Sequence, residues 1–173
     1  VGVSSEEYQG LVNETIAILQ SRMVSDGHIG YWTNKSPVDN QVTIYCAEFL
    51  TDAQKNGYYV PSSFLSKVLD AVEDIASSSA TSSGASYAQS LDRAYAIYVL
   101  TKNEIVTTPF IESLERDMKE QKSALSEYPA LYLAASYAML QQSDKAEKLV
   151  RQVKPSMKFD SSWAYHNDLH YVA

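Results

Sequence analysis

The sequence predicts an all-α protein of stacked helical hairpins, a partial α/α toroid, on three observations. Apolar residues recur at helical spacing in one segment after another, and no stretch alternates with the period of two that a half-buried strand requires. Helices of two kinds also alternate along the chain. The segments at 61–76, 108–121 and 144–153 are amphipathic with charged outer faces, whereas those at 41–55, 87–101 and 129–141 are apolar or small almost all round. A helix apolar all round needs cover on more than one side. Hairpins pairing one such helix with an amphipathic one stack into a solenoid or close into a ring.

Each element has its own local reason. In SSEEYQGLVNETIAILQSRM, Ser4 and Glu7 form a capping box and Glu6 complements the helix dipole, before Tyr8, Leu11, Val12, Thr15, Ile16 and Leu19 recur at helical spacing. SDGHIGYWTNKSPVDN, with Gly27, Gly30 and Pro37, reads as a long loop. A second helix is expected from about Gln41 to Lys55, stopped by Asn56-Gly57 in a left-handed turn. Pro61 opens a third, with Phe64, Leu65, Val68, Leu69, Val72 and Ile75 as its stripe.

Residues 77–86, SSSATSSGAS, hold too little apolar surface to pack and read as a flexible loop. A fourth helix, Tyr87 to Thr101, carries AYAIYVL. Thr108 caps a fifth, with Pro109 in its first turn. YPALYLAASYAML is the sixth helix, and SDKAEKLVRQV, capped by Ser143, the seventh. Aligning Phe49-Leu50, Val99-Leu100 and Met139-Leu140 superposes the hairpins at an irregular period of roughly 40 to 50 residues.

Composition bounds what such an array can do. With 173 residues, 45% hydrophobic and 20% charged, the chain suffices for one domain with a substantial core. A net charge of −7 argues against nucleic acid and against an anionic membrane surface, both of which need clustered Lys and Arg. No apolar run approaches the length of a membrane span, and no signal peptide is evident. There are 13 Tyr against 4 Phe, which suits helices whose ends meet water or another domain.

His166 and His170 in HNDLH stand four apart, as zinc ligands on a helix do, but Asn167 occupies the place where the metalloprotease pattern needs Glu. Asp160 or Asp168 would be the third ligand, and Asp168 would lie on a different helix face from the histidines. No metal or cofactor is expected. Asp26, Asp39 and Glu127 precede inner helices, where a carbohydrate-active toroid enzyme would place its carboxylate pair, with Tyr31 and Trp32 as a sugar platform. Against this, Asp-Gly is an ordinary turn and Glu127 suits a helix N-terminus. Tyr31 and Trp32 read most simply as a plug packing the loop over the ring, and otherwise, together with Trp163, as interdomain or ligand contacts. A helical-repeat scaffold for protein partners remains open on the repeat pattern alone.

DGHIGYW, VTIYCAEFLTDAQKNGYYVP, RAYAIYVL, YPALYLAASYAMLQQSDKAEKLV and SSWAYHNDLHYVA, in that order and spacing, resemble the bacterial alpha-2-macroglobulin family. The resemblance covers nearly the whole chain and is to the α/α toroid of that family's thioester-type domain. It implies a large periplasmic, secreted or cell-envelope protein that captures proteases after cleavage of a bait region. Neighbouring domains of the parent would be the partners of this segment, and proteases would be partners through the parent. A family toroid closes with about six hairpins, and this chain supplies about three and a half.

Where members have a thioester, its motif lies upstream of the Gly-aromatic-Trp loop, which here would place it before Val1. The lone cysteine, in Cys46-Ala47-Glu48-Phe49, falls instead within an inner helix, and Phe49 stands where the acyl-donating Gln would be needed. Cys46 is therefore expected to be a small buried hydrophobe. The reading is a structural and binding segment, not an enzyme, whose apolar cut face would make it pair with itself in isolation.

Overall fold

A computed structural model describes residues 5–78, 87–120 and 127–153, and every structural statement below concerns these. They form α1 (Ser5–Arg22), α2 (Asn40–Lys55), α3 (Ser62–Ser77), α4 (Tyr87–Lys102), α5 (Thr108–Glu120), α6 (Glu127–Met139) and α7 (Ser143–Gln152). No strand forms among them; two isolated bridges, Met23 with Ile29 and Gly30 with Val38, are the only extended pairings. Ser4 and most of the 77–86 segment lie outside the described residues, while Ser77 ends α3 and Ser78 caps it.

The all-α architecture is as the sequence predicts. The inner helices α2, α4 and α6 pack side by side in that order. The outer helix α3 lies against both α2 and α4, α5 lies against α4, and α7 lies against α6. Inner helices are buried because small and apolar residues surround them: Ile44, Ala47 and Leu50 on α2, and Ala94, Ala96, Ile97, Val99 and Leu100 on α4, are inaccessible or nearly so. Burying a side chain of the Leu or Ile class contributes about 1.5 to 3 kcal/mol, and the outer helices add Phe64, Val68, Val72, Ile111 and Leu114 to the same core.

The three inner helices end in one backbone motif. After α2 the amides of Gly57 and Tyr58 donate to Gln54 O and Ala53 O at 3.0 Å each. Glu104 and Ile105 repeat the pair on Thr101 O and Leu100 O, and Gln141 and Gln142 on Ala138 O and Tyr137 O. This is the Schellman stop, which needs a left-handed residue at its centre. Gly57 (φ 84°), Glu104 (φ 61°) and Gln141 (φ 59°) supply it.

The motif sets the structural register of the repeats and corrects the sequence alignment. Ala53, Leu100 and Tyr137 are equivalent, so pairing Phe49-Leu50 with Val99-Leu100 and Met139-Leu140 is three residues out on either side of α4. Apolar pairs recur all along these helices, whereas the stop occurs once in each, and only Gly57 advertised it.

Three helix starts also differ from expectation. Pro61 is the N-cap of α3 and not its first residue, and its carbonyl accepts from Phe64 and Leu65. Thr107, not Thr108, precedes α5; its carbonyl accepts from Ile111, and its hydroxyl pairs with Thr101 Oγ1 at 2.7 Å in a fully buried site. Gln142 precedes α7, with Ser143 already helical and no side chain capping. In each case the turn leaving the previous helix fixes where the next begins, and cap preference yields to it.

Candidate functional site

The long loop between α1 and α2 is held by its glycines. Gly27 is buried with φ 90°, and a Cβ there would lie 2.0 Å from Lys67 O, so the loop backbone lies directly on α3. Ile29, 1% exposed, fills the core beneath, and its amide donates to Thr43 Oγ1 at 3.1 Å. Arg22 Nη1 donates to Tyr31 O at 3.1 Å, and Ser36 Oγ accepts from the Thr33 amide at 3.0 Å. A pinned loop therefore presents Tyr31, 45% exposed, and Trp32, 77% exposed. The plug expectation fails, because Ile29 is the residue that turns inward. Asp39, by its negative charge and a hydrogen bond, raises the Tyr31 phenol above its usual range.

A second accessible surface lies on the inner helices, away from α3 and α5. On α2 it carries Tyr45, Glu48, Asp52 and Lys55, spaced three and four apart. Lys102 of α4 reaches Asp52 at 2.7 Å and Glu48 at 3.3 Å, while Lys55 Nζ donates to Lys102 O at 2.7 Å. Tyr95 donates its hydroxyl to Glu48, and its ring stacks on Tyr132 of α6 with centroids 4.8 Å apart. Burial alone would lower the Lys102 ammonium, but Asp52 and Glu48 outweigh it and hold it above the usual lysine range. The amine thus stays cationic, a tie between helices rather than a nucleophile.

Sequence reasoning missed this network. The polar stripe on α2 was its visible signal, masked by the small residues that make the same helix look buried all round.

The residues singled out for chemistry have local roles. Asp26 accepts from the His28 amide at 3.2 Å, and that hydrogen bond lowers its carboxyl pKa. Asp39 is the N-cap of α2, accepting from the Val42 amide at 3.0 Å. Glu127 is the first residue of α6. Cys46 is 2% exposed, and burial pushes its thiol up to about 12, which removes the thiolate any thiol chemistry would need. Asp160, Trp163, His166, Asp168 and His170 lie outside the described residues. Among the described residues no group of three or more His, Cys, Asp or Glu could hold a metal ion. No helix among them is long and apolar enough to cross a membrane.

A wall of helical hairpins with two polar-aromatic surfaces defines the class, a segment of an α/α toroid. Comparison with known proteins gives the kinship. The chain is 31% identical over 157 residues to an alpha-2-macroglobulin of Rickettsia conorii, covering 87% of this chain and 8% of that protein. An alpha-2-macroglobulin homolog of Yersinia pestis is 31% identical over 151 residues, covering 86% and 7%. In fold, native Escherichia coli alpha-2-macroglobulin superposes with a TM-score of 0.72 at 18% identity, over 87% of this chain and 10% of that one. A Salmonella alpha-2-macroglobulin variant gives 0.75 at 17%, over the same shares. No family model matches the chain. The chain is related to the bacterial alpha-2-macroglobulin family as one segment, spanning less than a tenth of the length of the curated relatives it matches.

Proposed function

We propose that this chain is a structural and binding segment of a larger alpha-2-macroglobulin-like protein that traps proteases, with no catalytic centre of its own. The observation that carries the reading is the agreement in sequence and fold along one stretch of bacterial alpha-2-macroglobulins, over nearly nine-tenths of the chain. Two of the structural relatives are described as activated by trypsin or by porcine elastase, and proteases are accordingly the partners proposed for the parent. The chain itself contributes a single toroid wall. Tyr31 and Trp32 contact a neighbouring domain of the parent, and Trp163 is proposed for the same role. The setting is the periplasm, the cell envelope or the secreted fraction.

The experiment uses the full-length parent, challenged with trypsin. The expected result is a change in shape on cleavage, seen by sedimentation, with trypsin retained in the complex and its digestion of a large protein substrate suppressed. A parent that is simply degraded, leaving trypsin fully active on large substrates, would overturn the proposal.

A further inference from the structure

The turn that ends α2 holds a reactive pair. Asn56 is the chain's one asparagine followed by glycine, and Asp26 is its one aspartate so placed. In either pair the glycine nitrogen can close on the side-chain carbonyl carbon of its neighbour, because no Cβ crowds the approach. The fold treats the two pairs differently.

Asp26-Gly27 is locked. Gly27 is buried, its amide donates to Val24 O at 3.2 Å, and a Cβ on it would stand 2.0 Å from Lys67 O of α3. The Asp26 carboxyl accepts from the His28 amide, which holds its pKa below the usual range and keeps it ionised, a poor target for a nucleophile. Turning that peptide means lifting the loop off the helix.

Asn56-Gly57 is held only by its own helix end. Both residues are exposed, and nothing lies within 4 Å of a Cβ added at Gly57. The Asn56 side-chain amide donates to Asp52 O at 2.8 Å, and the Gly57 amide donates to Gln54 O at 3.0 Å. With ψ of Asn56 at 11°, the Gly57 nitrogen is turned away from the Asn56 side chain. Closure therefore requires two exposed hydrogen bonds to open and one peptide to rotate, a local event that leaves the core packed.

We propose that Asn56 is a site of spontaneous deamidation. The Gly57 nitrogen bonds to Asn56 Cγ, the Cγ–Nδ2 bond breaks, and ammonia leaves with the proton lost from the Gly57 amide. Water then opens the cyclic imide at either of its two carbonyl carbons, giving aspartate or isoaspartate. Either product puts a negative charge at the C-terminal end of α2, against the helix dipole and one turn from Asp52. Isoaspartate also adds a methylene to the main chain inside the stop, so the turn into α3 no longer closes on the same hydrogen bonds. The proposal rests on this turn alone and is independent of the protease-trapping reading.

The test is peptide mapping of the 173-residue chain after incubation at mildly alkaline pH, both folded and in guanidinium chloride. Fragmentation mass spectrometry places the modified residue, enzymatic methyl transfer counts isoaspartate, and circular dichroism confirms the fold. In the folded chain position 56 should convert while position 26 stays intact. Conversion at 56 should run roughly ten times faster in denaturant, as the loss of two exposed hydrogen bonds implies. Gly57→Ala should slow the reaction in denaturant, where its effect on folding plays no part. Three results would each overturn the proposal. One is an Asn56 that stays intact in the folded chain through an incubation roughly a hundred times longer than the denatured chain needs, beyond what two such bonds can impose. The others are isoaspartate forming at 26 as fast as at 56 in the folded chain, and a Gly57→Ala chain that matches wild type in denaturant.

Discussion

Arg93 Nη1 of α4 lies 2.5 Å from Asp117 Oδ2 of α5, with the arginine fully buried. The same guanidinium donates to Ser113 Oγ at 3.2 Å and to Ala76 O, near the end of α3, at 3.4 Å. One side chain thus joins an inner helix to the outer helices on either side. Removing it leaves a partly buried carboxylate without its cation, and losses of that kind run at about 3 to 5 kcal/mol. Arg93→Ala should lower the denaturation midpoint accordingly, and adding Asp117→Asn should recover part of the loss. Additive effects in that cycle, measured by urea unfolding, would show that the pair is not coupled.

The left-handed stops give a prediction of opposite signs. Glu104 and Gln141 hold a backbone conformation that costs a side chain about 1 to 2 kcal/mol, and glycine avoids that cost but loses more chain entropy. Glu104→Gly and Gln141→Gly should each raise stability by about 0.5 kcal/mol, and Gly57→Ala should lower it by about 1 kcal/mol. A glycine variant that melts below wild type would contradict the assignment.

Gly27 is a harsher case than Gly57. Nothing lies within 4 Å of a Cβ added at Gly57, but at Gly27 it would meet a carbonyl oxygen of α3 at 2.0 Å. Gly27→Ala must push the loop off the helix and should cost more than about 2 kcal/mol. It should also speed proteolysis between Met23 and Asp39. Equal stabilities for the Gly27 and Gly57 variants would refute the contact.

Asp92 gives the pH dependence. Burial chiefly raises its carboxyl pKa above 3.8, against the lowering effect of Asn40, which donates to it at 3.2 Å. The folded state then binds a proton more readily than the unfolded one. The contribution of this group to stability is complete below the unfolded pKa and is lost as pH rises through the folded one. Asp92→Asn should remove that part of the fall, measured as the difference in unfolding free energy between pH 3.5 and pH 7 (about the window set by an ordinary carboxylate). An unchanged pH profile would show that Asp92 is not the group responsible.

Helix type was legible wherever burial repeats on a fixed face, as at Ile44, Ala47 and Leu50. The Asn56-Gly57 stop was legible because glycine marks left-handed backbone. The equivalent stops at Glu104 and Gln141 were hidden, since their residue types do not betray a positive φ and the chain geometry imposes it. Arg93 was hidden for a related reason: an arginine in the first half of a helix reads as solvated until Asp117, 24 residues on, is seen opposite it. The exposed Trp32 was misjudged because sequence registers that a loop aromatic will pack but not which neighbour turns inward, and Ile29 took that place.

The exposure of Trp32 has a practical consequence. The chain has 2 tryptophans, and an indole standing in water emits at longer wavelength and is open to collisional quenchers. The molecule thus carries its own optical gauge on one rim, which any body settling over that loop would shift to the blue and shield from iodide.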